Sequence, residues 1–343
     1  MKIRELGEFG LLGSLGLFGR VHPAGWVGPG DDAAVLPAPT GALLFTTDQL
    51  VEDVHFRRRT TAARDLGYKC VAANASDIAA MGGRPLAYTV CLAAPGELSA
   101  DWVTQLYEGL EEGAAAFRCP LVGGDTSAAP QVVLSIALLG VAAAHGPVLR
   151  SGARPGEDLF VSGSPGESAA GLRLLESGQP LGEPRREALV LRHVRPEPRL
   201  ALGASLGEAG LASALIDVSD GLLQDLGHVL RASGVGAEIW AERLPVSVAL
   251  AGVSRELGVD PERLVLAGGE DFELLFTAAP ERRGDVLQVA REAATPVRRI
   301  GRVVREPGVN LTRRGTAVPL PRARGFDHFP IRPEGAEEVV AGP

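Results

Sequence analysis

The segment that most constrains the fold is residues 74–83, Asn-Ala-Ser-Asp-Ile-Ala-Ala-Met-Gly-Gly, where polar side chains interrupt an apolar run. Apolar residues recur upstream at helical spacing, and glycine is the residue type that ends helices in the left-handed conformation. We therefore predict a helix over residues 62–81 that stops at Gly82 and Gly83. This segment alone allows two interpretations of Asp77: a local hydrogen-bonding group in a closely packed helix, or a functional carboxylate.

Further aspartates stand at predicted strand ends and glycine turns, whereas solvated carboxylates usually occupy polar helix faces. Each motif alone has a structural explanation, because Gly-Asp-Asp is common in turns and an Asp-x-x-Asp pair before a helix can act as an N-cap. Clustered carboxylates repel one another unless cations join them, and hard oxygen donors favour Mg²⁺. The set comprises Asp32, Asp48, Asp77, Asp125, Asp217 and Asp220.

Composition limits the classes of function. The net charge of −8 argues against nonspecific nucleic-acid binding, which needs excess basic charge. No apolar run approaches the roughly 20 residues that span a bilayer, and the leading segment is predicted to be an amphipathic helix without a signal-peptide pattern. Three widely spaced cysteines fit core thiols of a cytoplasmic protein. We predict a cytoplasmic protein that binds neither membrane nor nucleic acid.

The length of 343 residues and the order of elements predict two α/β domains. We place an N-terminal mixed α/β domain at residues 1–146, a C-terminal α/β domain at 147–330 and a flexible tail at 331–343, because a polar, turn-rich joint covers residues 150–156. The segment 132–143 is apolar enough to predict a strand buried on both faces. Residues 120–126 predict a strand that breaks at glycines, with Asp125 at its end.

The sequence predicts that any binding of nucleotide phosphates occurs without a P-loop. The chain lacks both the Gly-x-x-x-x-Gly-Lys-Ser/Thr pattern and the protein-kinase motifs. Its only lysines are Lys2 and Lys69, so nucleotide phosphates would be bound through metals, glycine-loop amides and arginines. His55 lies in an apolar run and, taken alone, fits a core histidine better than a ligand.

In order and spacing, these segments resemble the thiamine-monophosphate kinases of the aminoimidazole-ribonucleotide-synthetase-like ATP-binding superfamily. The resemblance covers nearly the whole chain. The matching motifs are Gly7-Glu-Phe9, Gly30-Asp-Asp-Ala-Ala34, Thr47-Asp48, Val54-His-Phe56, residues 74–82, Gly123-Gly-Asp-Thr126, Arg150-Ser-Gly-Ala153, Pro196-Glu-Pro-Arg199, Ile216-Asp-Val-Ser-Asp-Gly221, Gly268-Gly-Glu-Asp271 and Gly325-Phe-Asp-His-Phe329.

The resemblance implies ATP-dependent, Mg²⁺-assisted phosphorylation of thiamine monophosphate to thiamine diphosphate, and a homodimer in which N-terminal strands of both subunits form a shared β-barrel beside sandwich-like C-terminal domains. It implies metal ligands at Asp32, Thr46, Thr47, Asp48, Asp77, Asp125, Asp217 and Asp220, of which Asp32, Asp48, Asp77 and Asp125 act in catalysis through the metal. It implies nucleotide contacts at Gly124, Asp125, Arg150 and Ser219, and substrate contacts at His55, Glu270 and Phe326.

Two positions depart from the family pattern. Asp53 stands where a glycine or another small residue is common, and Phe326 occupies an aromatic position that also takes Tyr or Trp. Neither change removes a predicted ligand.

The role of Asn74 stays open between a function in the site and the fixing of the helix against its neighbours. Two other functions also stay open: an ATP-dependent enzyme that acts on a purine-pathway intermediate, and a catalytically silent binding protein.

Overall fold

The computed structural model describes residues 1–17, 23–29, 33–178, 180–322, 325–326 and 328. The predicted ligand Asp32 and the predicted tail at 331–343 therefore lie outside the described residues. The architecture is mixed α/β and is built from two sheets, one of four strands and one of seven. No helix in the described ranges is long and apolar enough to cross a membrane.

The helices and strands alternate along most of the chain. In chain order the N-terminal part contains α1 (Ile3–Ser14, interrupted at Gly7), β1 (Leu43–Val51), α2 (Ala63–Ala80), β2 (Gly83–Ala94), α3 (Ala100–Phe117), β3 (Leu121–Ala128) and β4 (Val133–Ala142). The C-terminal part contains β5 (Asp158–Ser162), α4 (Glu167–Ser177), α5 (Pro184–Val194), α6 (Leu200–Glu208), β6 (Ala214–Val218), α7 (Leu222–Ser233), β7 (Gly236–Trp240), α8 (Val248–Glu256), α9 (Pro261–Ala267), β8 (Glu273–Ala278), α10 (Arg283–Glu292), β9 (Val297–Val304), β10 (Gly308–Arg313) and β11 (Thr316–Ala317).

The N-terminal sheet has the strand order β1-β4-β2-β3. Its pairs are antiparallel except β2 with β3, which is parallel. One face is buried against α2 and α3, and the buried residues of β4 alternate with half-buried ones. The expectation that both faces of β4 are buried is therefore wrong for the described chain. The sheet is open in the part of the chain that the structure describes, so the shared barrel stays a prediction.

The C-terminal sheet has the order β11-β10-β7-β9-β5-β8-β6. The strands β5 and β8 and the edge strand β6 are buried along their whole length, because helices cover them. Helix α5 was not predicted from the sequence, although five of its 11 residues are apolar. Separate cores form in the two parts, with a third cluster between them, so the two-domain prediction is confirmed in outline.

Helix α2 contacts both domains and agrees with the prediction over residues 62–81. It ends at Met81, and Gly82 follows with φ +67°, the left-handed conformation that favours glycine. Against its C-terminal end packs α6, where a Cβ atom at Gly203 would overlap the Ala79 carbonyl oxygen. Glycine at this position therefore allows the backbones of the two domains to touch.

Strand β3 differs from the prediction, because it runs through Gly123, Gly124 and Asp125 without a break. A Cβ atom at Gly124 would overlap the Val90 carbonyl oxygen of the neighbouring strand. The glycine is therefore required by close strand pairing and not by a turn. Asp125 consequently lies within the strand and not at its end.

Candidate active site

A cleft of about 390 Å³ lies between the two domains and collects most of the predicted site residues. The N-terminal domain contributes the end of β1, the loop after it and the cleft-facing side of α2. The C-terminal domain contributes the loops after β6 and before β8. Predicted residues that line the cleft are Asp48, His55, Asp77, Asp217, Ser219, Asp220, Glu270 and Phe326.

Strand β1 and helix α2 are joined by side-chain hydrogen bonds at the cleft. The Thr46 hydroxyl donates to Asp77 Oδ2, and the backbone N–H of Asp48 donates to Asn74 Oδ1 at 3.0 Å. The Asn74 side chain, which is fully buried, donates in turn to the Cys70 carbonyl oxygen at 3.0 Å. Asn74 thus fixes α2 against β1, and the register of this contact sets the relative positions of Asp48 and Asp77.

The loop after β6 brings two more carboxylates into the cleft. Asp217 is buried and accepts a hydrogen bond from the Ser76 hydroxyl of α2 at 2.8 Å, which joins the two domains directly. Asp220 accepts from Gln224 Nε2 at 3.1 Å. The turn itself is organised by Asp225, whose Oδ2 accepts the backbone N–H groups of residues 219, 220 and 221 at 3.1, 3.2 and 3.1 Å.

Burial and mutual repulsion make these carboxyl groups hard to ionise. Burial, together with the charges of Asp77 and Asp220, raises the pKa of Asp48 to about 7. Burial also raises the pKa of Asp77, although the Thr46 hydroxyl and Arg150 oppose the effect. The pKa of Asp217 rises well above its usual range through burial and the neighbouring Asp77. A polar cluster of this kind is stable in its charged form only if positive charge enters the cleft.

The donor chemistry of the cluster fits Mg²⁺, because its ligands would be carboxylate and hydroxyl oxygens. Among the residues that the structure describes, no three His, Cys, Asp or Glu side chains are already gathered to hold an ion by themselves. Mg²⁺ usually keeps several waters and combines one or two carboxylates with substrate phosphates, so a complete protein cage is not required. Asp48, Asp77, Asp217 and Asp220 are the carboxylates in this region that fit the group.

The opposite end of the cleft is aromatic. The ring of His328 lies 4.9 Å from that of His55 and 4.7 Å from that of Phe326, measured between centroids. The backbone N–H of Phe326 donates to the Asp220 carbonyl oxygen at 3.0 Å, which attaches the end of the described chain to the carboxylate-bearing loop. Rings placed in this way offer flat surfaces for stacking.

His55 is held as a neutral ring. Its Nδ1 accepts the backbone N–H of Val51 at 3.1 Å, and burial, with the neighbouring His328, lowers its pKa. A neutral imidazole that accepts at Nδ1 carries its proton on Nε2. The loop that presents it turns at Asp53, whose φ of 65° is left-handed. That conformation favours glycine, and aspartate is among the residues with a side chain that tolerate it.

The acidic segment before β8 uses its three carboxylates in different ways. Glu270 lines the cleft and pairs with Lys69 Nζ at 2.8 Å. Asp271 accepts the backbone N–H groups of Gly166 and Ser168 at 2.6 and 3.0 Å at the start of α4. Glu273 forms two buried hydrogen bonds with Arg199, at 2.6 and 2.7 Å. Only Glu270 of the three is available to a ligand in the cleft.

Four predicted residues lie elsewhere. Gly124 and Asp125 line a second cavity, of about 490 Å³, beside α1 and β3. Across the sheet, Asp48 of β1 is aligned through β4 and β2 with Gly124 of β3, so these two residues face the same side. Asp125 is the next residue along β3 and therefore faces the opposite side of the sheet from Asp48. Thr47 lies on the same side of the sheet as Asp125, and its hydroxyl donates to the Ile136 carbonyl oxygen at 2.8 Å. Arg150 lies in the interdomain joint, close enough to influence Asp77.

Sequence reasoning missed Asp225, His193 and His328, and it did not predict the partner of Lys69. Asp225 had a detectable signal, because an aspartate four residues after Gly221 can reach back to free amides at a helix start. The pairing of Lys69 with Glu270 joins residues 201 positions apart, so nothing in the local pattern reveals it.

Comparison with known proteins is consistent with this geometry. The chain matches the family models "AIR synthase related protein, N-terminal domain" over residues 30–142 and "AIR synthase related protein, C-terminal domain" over residues 154–314. A thiamine-monophosphate kinase of Mycobacterium tuberculosis is 42% identical over 276 residues, covering 80% of this chain and 81% of the relative. The chain belongs to the thiamine-monophosphate kinase family.

Solved structures of this family share the fold. The thiamine-monophosphate kinase of Stenotrophomonas maltophilia K279a superposes with a TM-score of 0.78 at 37% identity, covering 90% of this chain and 95% of that one. AaThiL complexed with AMPPCP and TMP superposes with a TM-score of 0.76 at 34% identity, covering 96% of this chain and 99% of that one. The resemblance in the sequence motifs thus extends to the whole architecture of the family.

Proposed function

We propose that this chain transfers the γ-phosphoryl group of ATP to the phosphate of thiamine monophosphate, yielding thiamine diphosphate and ADP. The observation that carries the proposal is the composition of the interdomain cleft. Buried and half-buried carboxylates lie at one end, and three aromatic rings with Glu270 lie at the other. The likeness to the structure with AMPPCP and TMP supports the pairing of a nucleotide with this acceptor.

The aromatic end suits the thiamine rings. Phe326 and His328 offer flat faces, His55 offers an Nε2–H donor, and Glu270 offers a carboxylate to a positively charged heteroaromatic ring. The phosphate of the acceptor would then extend toward Asp48 and Asp77. One of its oxygens attacks the γ-phosphorus, the bond to the oxygen that bridges the β- and γ-phosphorus atoms breaks, and ADP leaves with that oxygen.

The chain needs no dedicated base for this step, because a phosphate monoester is already ionised near neutral pH. Bound Mg²⁺ would neutralise and align the phosphates of both reactants. The residues proposed to hold it are Thr46, Thr47, Asp48, Asp77, Asp125, Asp217 and Asp220, together with Asp32 outside the described residues. For the nucleotide we propose Gly124, Asp125, Arg150 and Ser219. Since Asp125 and Asp48 face opposite sides of the sheet, the proposed ligands on its outer side are separated within one chain from those in the cleft.

We also propose a homodimer that forms over the outer face of the N-terminal sheet. On β1 of that face, Phe45 is 69% exposed and Leu43 is 54% exposed, and the outward residues of β4 are half-buried and largely apolar. Exposed apolar patches of this kind usually mark interaction surfaces.

We also propose a cytoplasmic location, because the free thiols Cys70, Cys91 and Cys119 suit a reducing compartment.

The decisive experiment measures ADP and thiamine diphosphate formation with ATP, excess MgCl₂ and either thiamine monophosphate or thiamine. We expect turnover with thiamine monophosphate and none with thiamine, because the acceptor is a phosphate oxygen. Asp77→Asn should abolish turnover and leave the circular-dichroism spectrum unchanged. ATP hydrolysis that ignores the acceptor, or an Asp77→Asn variant within a fewfold of wild type, would overturn the assignment.

A further inference from the structure

The only lysine inside the fold is buried at the acceptor end of the cleft. Lys69 is 2% exposed and lies on α2 of the N-terminal domain, and its Nζ atom contacts Glu270 Oε1 of the C-terminal domain at 2.8 Å. The Glu270 side chain is 29% exposed and lines the cleft. Lys69 therefore holds one oxygen of this carboxylate, while the Glu270 side chain faces the space where the acceptor would lie.

The rest of the surroundings also restrains Glu270. Its backbone has φ 60°, outside the ordinary regions for a residue with a side chain, and its N–H donates to the Ser219 carbonyl oxygen at 2.6 Å. Its second oxygen, Oε2, lies 3.5 Å from His193 Nδ1. His193 is buried and also contacts the Ser168 hydroxyl at 3.1 Å. A strained backbone held by several contacts is typical of a positioned functional group.

The charges in this group determine its behaviour. Burial lowers the pKa of His193 to about 3, so the ring is neutral and Lys69 is the cation that faces Glu270. Burial opposes ionisation of Glu270, but the charge and hydrogen bond of Lys69, together with the neighbouring His193 and His55, hold the pKa of this carboxyl below its usual value. Without Lys69, the carboxylate would be a partly buried charge with no cationic partner in contact.

We propose that Lys69 is a positioning residue that keeps the Glu270 carboxylate ionised and pointed at the acceptor ring, so that it determines affinity for the phosphate acceptor and not for ATP. The proposal rests on the proposed function for the identity of the acceptor. It also assigns a mechanical role to α2, because Lys69 and Asp77 lie about 12 Å apart along this one helix at 1.5 Å per residue. One rigid element then sets both the acceptor end and the carboxylate end of the cleft.

A plain interdomain ion pair is the competing explanation, and it predicts a different result. If Lys69 only links the domains, Lys69→Met lowers the thermal midpoint without a selective change in acceptor affinity. If Lys69 positions Glu270, the loss appears in the acceptor KM and in acceptor binding, while the KM for ATP stays constant. The two effects are separable because Ser76 with Asp217 and Arg57 with Glu176 also join the domains.

The test is a double-mutant cycle on the full chain with Lys69→Met, Glu270→Gln and the double variant. Each single change should raise the acceptor KM at least about tenfold, since removing one member of a buried charge pair costs more than a tenfold change represents. The double variant should be no worse than the worse single variant, because both changes remove one interaction. The KM for ATP should stay within about twofold of wild type. Lys2→Met alters the only other lysine, which is exposed, and should leave all constants unchanged.

Binding of thiamine monophosphate without ATP, measured by titration calorimetry, separates this inference from the proposed function. A wild-type chain that binds the acceptor but forms no ADP refutes the kinase and leaves the role of Lys69 to be decided by binding to the variants. Absence of both binding and turnover refutes both proposals. Multiplicative losses in the double variant, or wild-type acceptor affinity in Lys69→Met, refute the positioning role. If Lys69→Met does not fold, Lys69→Arg replaces it, and the displaced charge should still weaken acceptor binding selectively.

Discussion

The buried carboxylate cluster predicts a dependence of stability on pH that Mg²⁺ should reverse. In the folded chain the pKa of Asp48 is about 7, against an ordinary value of 3.8. The folded state therefore holds this proton more tightly than the unfolded state does. Its contribution to stability is complete below about pH 4 and is lost as the pH rises through about 7.

The size of the effect follows from the same values. A change in pKa from 3.8 to about 7 corresponds to about 4 kcal/mol in the free energy of unfolding. Asp48 is half-buried, so solvent screening reduces this to roughly 2 kcal/mol. For a chain of 343 residues, that difference moves the thermal midpoint by roughly 3 °C.

The assay compares wild type with Asp48→Asn by thermal denaturation at about pH 5 and about pH 8, in EDTA and in excess MgCl₂. Asp48→Asn removes the titrating group, so its free energy of unfolding should fall less between these two pH values, by roughly 1 kcal/mol, because part of the full effect lies below about pH 5. Added Mg²⁺ should raise the midpoint of wild type at about pH 8 more than that of Asp48→Asn, and both less at about pH 5. Asp101→Asn, on the exposed face of α3, serves as the matched control.

The comparison between variants matters because other groups titrate in the opposite sense. The lowered pKa values of His55 and His193 make stability rise with pH below about 6.5. The wild-type curve alone therefore mixes both effects, and the difference between curves isolates Asp48. Equal pH dependence in wild type and Asp48→Asn would refute the assignment of Asp48 to a mutually repelling cluster.

Two further predictions concern the turn after β6 and the outer face of the sheet. Asp225→Ala leaves three backbone N–H groups without their acceptor and should lower the free energy of unfolding in urea by about 3 kcal/mol. The control is Asp260→Ala, which removes the cap of one backbone N–H of α9 and should cost about 1 kcal/mol. Equal losses would contradict the role of Asp225. Phe45→Glu places a charge on the proposed dimer face and should halve the mass measured by light scattering, whereas Val248→Glu, at an exposed site on α8, should leave it unchanged. A Phe45→Glu variant that remains dimeric would place the contact elsewhere.

The elements with strong local signals were predictable from the sequence. Helix α2 and its end at Gly82 followed from helical spacing and a glycine stop. Strand β3 was misjudged because glycine has two uses that look alike in a sequence. At Gly124 it permits close approach to Val90 and does not bend the chain.

The candidate site was predictable as a set of residues but not as an arrangement. Acidic motifs identified Asp48, Asp77 and Asp217 as functional candidates, since carboxylates in apolar surroundings need a partner. The family resemblance singled out Glu270, but the local pattern does not distinguish this residue, which faces the cleft, from Asp271 and Glu273, which are used within the fold. That distinction depends on Lys69 and Arg199, which are remote in the chain and close only after folding.

The glycine contact between α2 and α6 has a consequence for how the enzyme moves and how it can be engineered. Because Gly203 packs directly on the Ala79 carbonyl and Gly207 packs on Gly82, neither helix can slide without a backbone collision. Closure over a substrate should therefore involve loops and not a relative displacement of the domains. For the same reason, a chimaera that carries the C-terminal domain of a relative should fold only if that domain also has glycines at the two positions that contact the end of α2.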